Sequence, residues 1–180
     1  MHFHTRILAV LLAAAATQSA YASDGTINFS GELLDSTCTV TVNGQVAPSA
    51  ATVTLPKLSA SMLKTASTVA GQTPFNITLS ACSGATTTAA AFFEGGAGVD
   101  TLTSNVKNSG TATFVELQLI DANNGSAIKA GDIGQVTGTT RITKNATGNT
   151  VLPYAVQYVS TGVATAGTVL GTVTYSISYQ

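Results

Sequence analysis

The sequence predicts an all-β domain, a sandwich or barrel of short strands, and three observations carry that expectation. Past its first two dozen residues the chain is rich in Thr, Ser, Val, Ala and Gly, and only 8% of the whole is charged. Such composition suits strands and turns and offers little of the Glu, Lys, Arg and Leu that build helices. Short β-prone runs recur between turn signals, as in sandwiches and barrels. Neither an internal repeat nor a linker interrupts them, so one domain is expected.

The first element is a targeting segment. Arg6 and the amino terminus give a positive start, and Ile7–Ala16, "ILAVLLAAAA", is a ten-residue apolar run. That is too short to span a bilayer, which argues against the alternative of a membrane anchor. Ala20-Tyr21-Ala22 has the small-x-small form of a cleavage site, so 1–22 is expected to be a signal peptide and Ser23 the start of the mature chain. Cleavage takes 22 of 180 residues and leaves 158, a suitable length for one core. It also removes both histidines, His2 and His4, and one of the seven basic residues, leaving six against eight acidic ones. A chain so poor in charge has no electrostatic footprint for nucleic acid or an anionic membrane.

Next comes "DGTINFSGELLDSTC", Asp24–Cys38. Ile27, Phe29, Gly31 and Leu33 alternate with Thr26, Asn28, Ser30 and Glu32, a strand pattern. Gly31 lies in the middle of the apolar face, where glycine weakens an ordinary strand and often marks close backbone approach. Residues 25–33 are therefore either the first strand of their own domain or a strand made for another molecule.

Further strands are expected at Cys38–Val42, Ala51–Leu55, Phe75–Leu79, Ala90–Phe93, Val115–Asp121, Thr139–Thr143, Val151–Val159 and Val169–Tyr179. Asn43-Gly44 and Asn123-Asn124-Gly125 are turn signals. A helical turn is expected only within Ser59–Val69. At the carboxy end Val169, Gly171, Val173, Tyr175, Ile177 and Tyr179 fall on one face of an extended run. A strand that closes the chain has no following segment to cover its free side, so an open sheet edge is expected there, a liability unless another chain pairs with it.

Several short patterns imitate chemistry. Ser61-Met62-Leu63-Lys64 fits S-x-x-K, but the companion Ser-Asp-Asn and Lys-Thr-Gly motifs are missing. Gly95–Thr103 fits one copy of a calcium-binding nonapeptide that works only as stacked repeats, so a glycine-rich loop is expected. Asn28, Asn76, Asn124 and Asn145 each begin an N-x-S/T triplet, as an Asn-, Ser- and Thr-rich composition produces by itself; glycosylation stays open. Without a mature histidine the common acid–base and triad arrangements are missing, so neither an enzyme nor a metal or other cofactor is expected. In an exported chain the only two cysteines, Cys38 and Cys82, read as a disulfide rather than two free thiols.

These pieces together resemble a pilin subunit of the chaperone–usher pathway, of the type 1 major-subunit kind. The resemblance rests on the extension "DGTINFSGELL" ahead of the first cysteine and on the Cys38/Cys82 pair. It rests also on "FNITLSAC" leading into Cys82, on Gly167 fourteenth from the end, and on penultimate Tyr179 in "YSISYQ". It implies an incomplete immunoglobulin-like sandwich that lacks its last strand, with an N-terminal donor-strand extension. The implied division is 1–22 signal peptide, 23–34 donor extension and 35–180 pilin domain. The implied disulfide ties the first two strands.

The resemblance also assigns roles. Gly25, Ile27, Phe29, Gly31 and Leu33 would face a neighbour's groove, with Gly31 at a shallow place. Gly167, Tyr175, Ile177, Tyr179 and the carboxylate of Gln180 would meet a periplasmic chaperone first, and the extension of the next subunit afterwards, at an outer-membrane usher. The expected function is then a structural subunit of a cell-surface fimbria, polymerised head to tail with identical or related pilins, contributing to adhesion and biofilm as part of the fibre. The alternatives are a minor adaptor pilin and a secreted β-sandwich module that binds a glycan. The last is disfavoured because glycan sites use exposed aromatics, and this chain has no Trp.

Overall fold

The computed structural model describes residues 27–33, 35–47, 50–145 and 147–180. The expected signal peptide, Gly25 and the remainder of 1–26 lie outside them. The chain divides into two units, residues 1–33 and 34–180. In the first unit Ile27–Leu33 carries no assigned strand, and all seven residues are exposed.

The second unit is built from antiparallel strands. β1 (Thr39–Val42), β2 (Gln45–Val46), β3 (Val69–Ser80), β8 (Thr150–Ser160), β5 (Val115–Asp121) and β6 (Ala127–Ile128) form one sheet, in the order β2-β1-β3-β8-β5-β6. The other sheet has the order β7-β4-β9, from β7 (Ile142–Thr143), β4 (Thr88–Phe93) and β9 (Tyr175–Tyr179). Among the described residues helix is confined to a 3₁₀ turn, Ala60–Leu63, and one α-helical turn, α1 (Gln135–Gly138).

The core lies between the sheets. Ile77, Leu79, Leu117, Leu119, Leu152 and Tyr154 come from the larger sheet, and Ala89, Ala91 and Phe93 from the smaller. Phe75, Phe93 and Tyr154 form a ring cluster with centroids 5.2–6.4 Å apart, in the range of favourable aromatic packing. The carboxylate of Asp121 is buried as well. Burial acts to raise its pKa, but hydrogen bonds from Thr140 and Asn123 outweigh that and hold it below the ordinary carboxylate range.

Most expected strands form, with altered limits. Phe75–Leu79 falls in the second half of a twelve-residue β3, and Val115–Asp121 agrees in full. Asn43-Gly44 makes the β1–β2 hairpin with φ of +46° and +85°, the left-handed pair a tight hairpin needs. Cys38 and Cys82 are bonded and tie β1 to β3, which are paired neighbours. The 3₁₀ turn falls inside Ser59–Val69, as expected.

Three expectations need correction. Thr139–Thr143 is a strand only over Ile142–Thr143, because Thr139 caps α1 by donating its N–H to the Gln135 carbonyl. Val169–Tyr179 is laddered only from Tyr175; its first half is held instead to residues 108–112, with Ser109 N donating to the Leu170 carbonyl and Ala112 N to that of Thr168. Ala51–Leu55 alternates as expected, with Ala51, Val53 and Leu55 half-buried on the core. It is not a strand, however: among the described residues no backbone-to-backbone hydrogen bond engages 51–58.

Candidate functional site: the open edge of the last strand

β9 pairs with β4 along one side, from Ala89 opposite Tyr179 to Phe93 opposite Tyr175. Among the described residues no strand pairs with its other side. Tyr175, Ile177 and Tyr179 face the core yet stay half-buried, as do Val169 and Val173 ahead of them. A row of apolar side chains seated on the core but incompletely covered, beside unpaired backbone, is what the edge of an unfinished sheet presents.

β4 is protected where β9 is not. β7 covers only Thr88 and Ala89. Beyond it, Ala91 N donates to the Tyr154 hydroxyl at 2.8 Å. The buried Gln135 amide then imitates a strand: Phe93 N donates to its Oε1 at 3.0 Å, and its Nε2 donates to the Phe93 carbonyl at 2.9 Å. Side chains thus take the hydrogen-bonding role of a further strand.

The end of β9 is pinned. The backbone oxygen of Gln180 accepts from Thr87 N at 2.7 Å and Thr88 N at 2.8 Å. The Arg141 guanidinium reaches over β4, donating from Nε to Thr88 Oγ1 at 3.1 Å and from Nη2 to the Ser178 carbonyl at 2.8 Å. Burial draws the pKa of Arg141 down and pushes those of the Tyr175 and Tyr179 phenols up. Lys144 Nζ sits 5.6 Å from the Tyr179 ring centre, a cation–π distance.

Gly167 lies where the run toward β9 crosses residues 111–112. A Cβ there would fall 2.7 Å from the Thr111 carbonyl carbon and 2.8 Å from Ala112 Cα, so close backbone approach accounts for the glycine. The residues expected to serve a partner are exposed, with Ile27 at 78%, Phe29 at 91% and Leu33 at 101% of full accessibility. Nothing lies within 4 Å of where a Cβ on Gly31 would point.

The imitations of chemistry have structural uses. Ser61 Oγ is hydrogen-bonded to Ser59 Oγ at 2.7 Å, at the N-cap of the 3₁₀ turn. Asp100 Oδ1 accepts from the N–H groups of Leu102 and Thr103, which close the glycine-rich loop and lower the pKa of the carboxyl. Among the described residues no three His, Cys, Asp or Glu side chains cluster as metal ligands.

Sequence reasoning missed Gln135 and Tyr154. Gln135 follows Gly134 in a loop without periodicity, and Tyr154 is one aromatic in the apolar run of β8. No local signal sets either apart.

Known proteins resemble this chain in sequence and fold. The family model for type-1 fimbrial protein A (FimA) matches residues 55–180. The F17 fimbrial protein of Escherichia coli is 39% identical over 176 residues, covering 94% of this chain and 95% of that protein. The major fimbrial subunit SMF-1 of Stenotrophomonas maltophilia is 40% identical over 172 residues, covering 93% and 99%. Among solved structures, the P pilus rod subunit PapA superposes with a TM-score of 0.54 at 16% identity, covering 79% of this chain and 99% of that one. A chaperone–usher pilus subunit gives 0.52 at 17% identity, covering 88% and 96%. The fold is thus the immunoglobulin-like sandwich of pilins, and the chain belongs to the type-1 fimbrial protein family, whose members are structural subunits of cell-surface fimbriae.

Proposed function

We propose that this chain is a repeating structural subunit that polymerises head to tail by donor-strand exchange. Residues 24–33 of one copy enter the groove beside β9 of the next, with Gly25, Ile27, Phe29, Gly31 and Leu33 directed at its core. The single observation that carries this is the free side of β9 with Tyr175, Ile177 and Tyr179 half-covered along it. The exposed Ile27, Phe29 and Leu33 supply apolar groups of the right spacing. The extended, unpaired Ala51–Leu55, half-buried on the same core, offers a second wall. Donor-strand complementation is an established instance of strand addition, in which backbone bonds give affinity and alternate side chains give register.

In this reading 1–22 is cleaved on export, 23–34 is the donor and 35–180 is the receiving domain. A periplasmic chaperone covers the groove first, and an outer-membrane usher directs the exchange. The role is structural, without catalysis or a cofactor. Similarity to a named major subunit across 99% of its length favours the rod over an adaptor position.

The test is refolding of the mature subunit with and without a synthetic Asp24–Leu33 peptide. A soluble, cooperatively unfolding monomer is expected only with the peptide, and aggregate or self-polymer without it. A stable monomer that ignores the peptide would overturn the proposal.

A further inference from the structure

Phe114 combines two costs that a soluble domain ordinarily avoids. Its φ is +56°, in the left-handed region, where the other non-glycine residues among those described are Asn43, Ser67, Ala81 and Ser104. For a bulky side chain that conformation is a true outlier. The residue is also 59% exposed, so burial in its own fold does not explain it.

The neighbours impose the conformation. Thr113 is clamped to Thr165: Thr113 N donates to Thr165 Oγ1 at 2.9 Å, and Thr165 N donates to the Thr113 carbonyl at 3.2 Å. The Phe114 carbonyl accepts from Thr161 N at 3.0 Å, and Val115 opens β5 opposite Ser160. The ring lies over Gly162, where a Cβ would come within 3.0 Å of it. Strain over-determined in this way is typical of functional sites.

The ring is not alone. Val163 is 64% and Met62 52% exposed, and Ala164 N donates to the Leu63 carbonyl at 3.0 Å, tying their two loops together. Val69, 46% exposed, opens β3 at the same end of the larger sheet, where Val159 faces it. Three loops and a strand end thus build one apolar face around a fixed aromatic, the make-up of an interface anchor.

We propose that this face docks the next copy of the chain in the fibre. The inference rests on the donor-strand reading, which also supplies the geometry. A ten-residue donor laid antiparallel, the commoner pairing, against Val169–Tyr179 would leave the groove beside Gly167 and Thr168. Those residues pack on Thr111 and Ala112, three and two positions from Phe114. Only Leu34–Cys38 then separates the donor from β1 of its own domain, at most about 18 Å of chain. The incoming domain is therefore held against the end of the sandwich that bears Phe114, and the contact is heterologous, suited to an open fibre.

The test uses Phe114→Gly and Phe114→Asn, since both residues accept positive φ. Subunits complemented with the Asp24–Leu33 peptide should melt at the same or a higher temperature and bind the peptide with unchanged affinity. Fibres assembled from either variant should lose stiffness and fragment, as read by persistence length in electron micrographs. Fibres of unaltered length and stiffness would overturn the proposal. So would a fall in the melting temperature of the complemented Phe114→Gly subunit, which would make the ring part of the fold. Failure of the donor-strand reading would show separately, as loss of peptide binding by the unaltered subunit.

Discussion

Ala91 donates its backbone N–H to the phenol oxygen of Tyr154 at 2.8 Å, joining the smaller sheet to the larger across the core. Tyr154 is almost wholly buried, and burial pushes its pKa up to about 12. The neutral phenol is therefore the form the fold requires. A group raised in this way contributes stability that is intact below its ordinary value near 10 and is lost as pH climbs toward 12.

The first prediction follows from that sign. The donor-complemented subunit should keep its melting temperature up to about pH 10 and lose about 3 kcal/mol between pH 10 and 12 through Tyr154. Tyr158, Tyr175 and Tyr179, raised by burial too, act in the same direction. Tyr154→Phe should make the alkaline fall shallower. It should also lower stability at pH 7 by about 1–3 kcal/mol, because Ala91 N–H is left without its acceptor. Thermal melts across pH 8–12 check both effects.

Gln135 carries the second. Its amide bonds both the N–H and the carbonyl of Phe93; the carbonyl also accepts from Gly131 N at 2.8 Å, so Gln135→Leu would orphan the Phe93 N–H inside the core. Each unsatisfied group costs about 1–3 kcal/mol. Chemical denaturation of the complemented subunit should show a loss in that range. Gln135→Glu should do less harm at acidic pH, where a protonated carboxyl can still donate to the Phe93 carbonyl.

How much of this was legible beforehand depended on whether the cause was local. The β3, β5 and β8 runs, the Asn43-Gly44 hairpin and the 3₁₀ turn follow from alternation and turn chemistry within a few residues, and they formed where expected. Ala51–Leu55 and Val169–Val173 alternate equally well but are not laddered. Alternation reports which side chains face a core; whether a backbone partner lies alongside is a property of distant chain. Gln135 and Tyr154 were illegible for the same reason, since their partners, Phe93 and Ala91, lie 42 and 63 residues away. Gly167 was visible as a marker, but its physical reason, the backbone of Thr111 and Ala112, was not.

That close approach gives the third prediction. Gly167→Val places a branched side chain against main-chain atoms that cannot yield as a side-chain tip could. It should detach the run from Thr168 to Leu170 from residues 108–112 and so misplace the start of the groove. Overpacking of this kind typically costs about 1–3 kcal/mol. Amide hydrogen exchange should reveal lost protection at Ala112 N and Ser109 N, with β3 and β8 unaffected.

The disulfide supports a fourth. Cys38 and Cys82 close a loop with a sequence separation of 44, which in the chain-entropy account restrains the unfolded state by about 4 kcal/mol. Cys38→Ser should lower subunit yield in the periplasm and the stability of whatever accumulates, because the covalent tie between the start of β1 and the end of β3 is lost and only hydrogen bonds and packing hold them together. Mass spectrometry of assembled fibres should find no free thiol in the unaltered chain.

The last prediction concerns the donor residues, whose effects should be felt in a neighbour rather than in their own domain. Phe29→Ala removes a side chain that is fully exposed in its own subunit but, once inserted, would fill a packed core. Such a truncation costs about 3–5 kcal/mol. Gly31→Leu adds bulk where the neighbour's groove is expected to be shallow, at about 1–3 kcal/mol. Both variants should fold, be captured by the chaperone at normal yield, and give short fibres or none. A subunit carrying its own "DGTINFSGELL" at the carboxy end through a flexible linker should become a stable monomer, since the missing strand is then supplied in cis and the free side of β9 is closed. In that fused subunit Phe29→Ala at the original position should leave the melting temperature unchanged, whereas the same change in the appended copy should lower it. If the original position proved the sensitive one, residues 24–33 would belong to their own domain, and the fibre would need another means of joining its subunits.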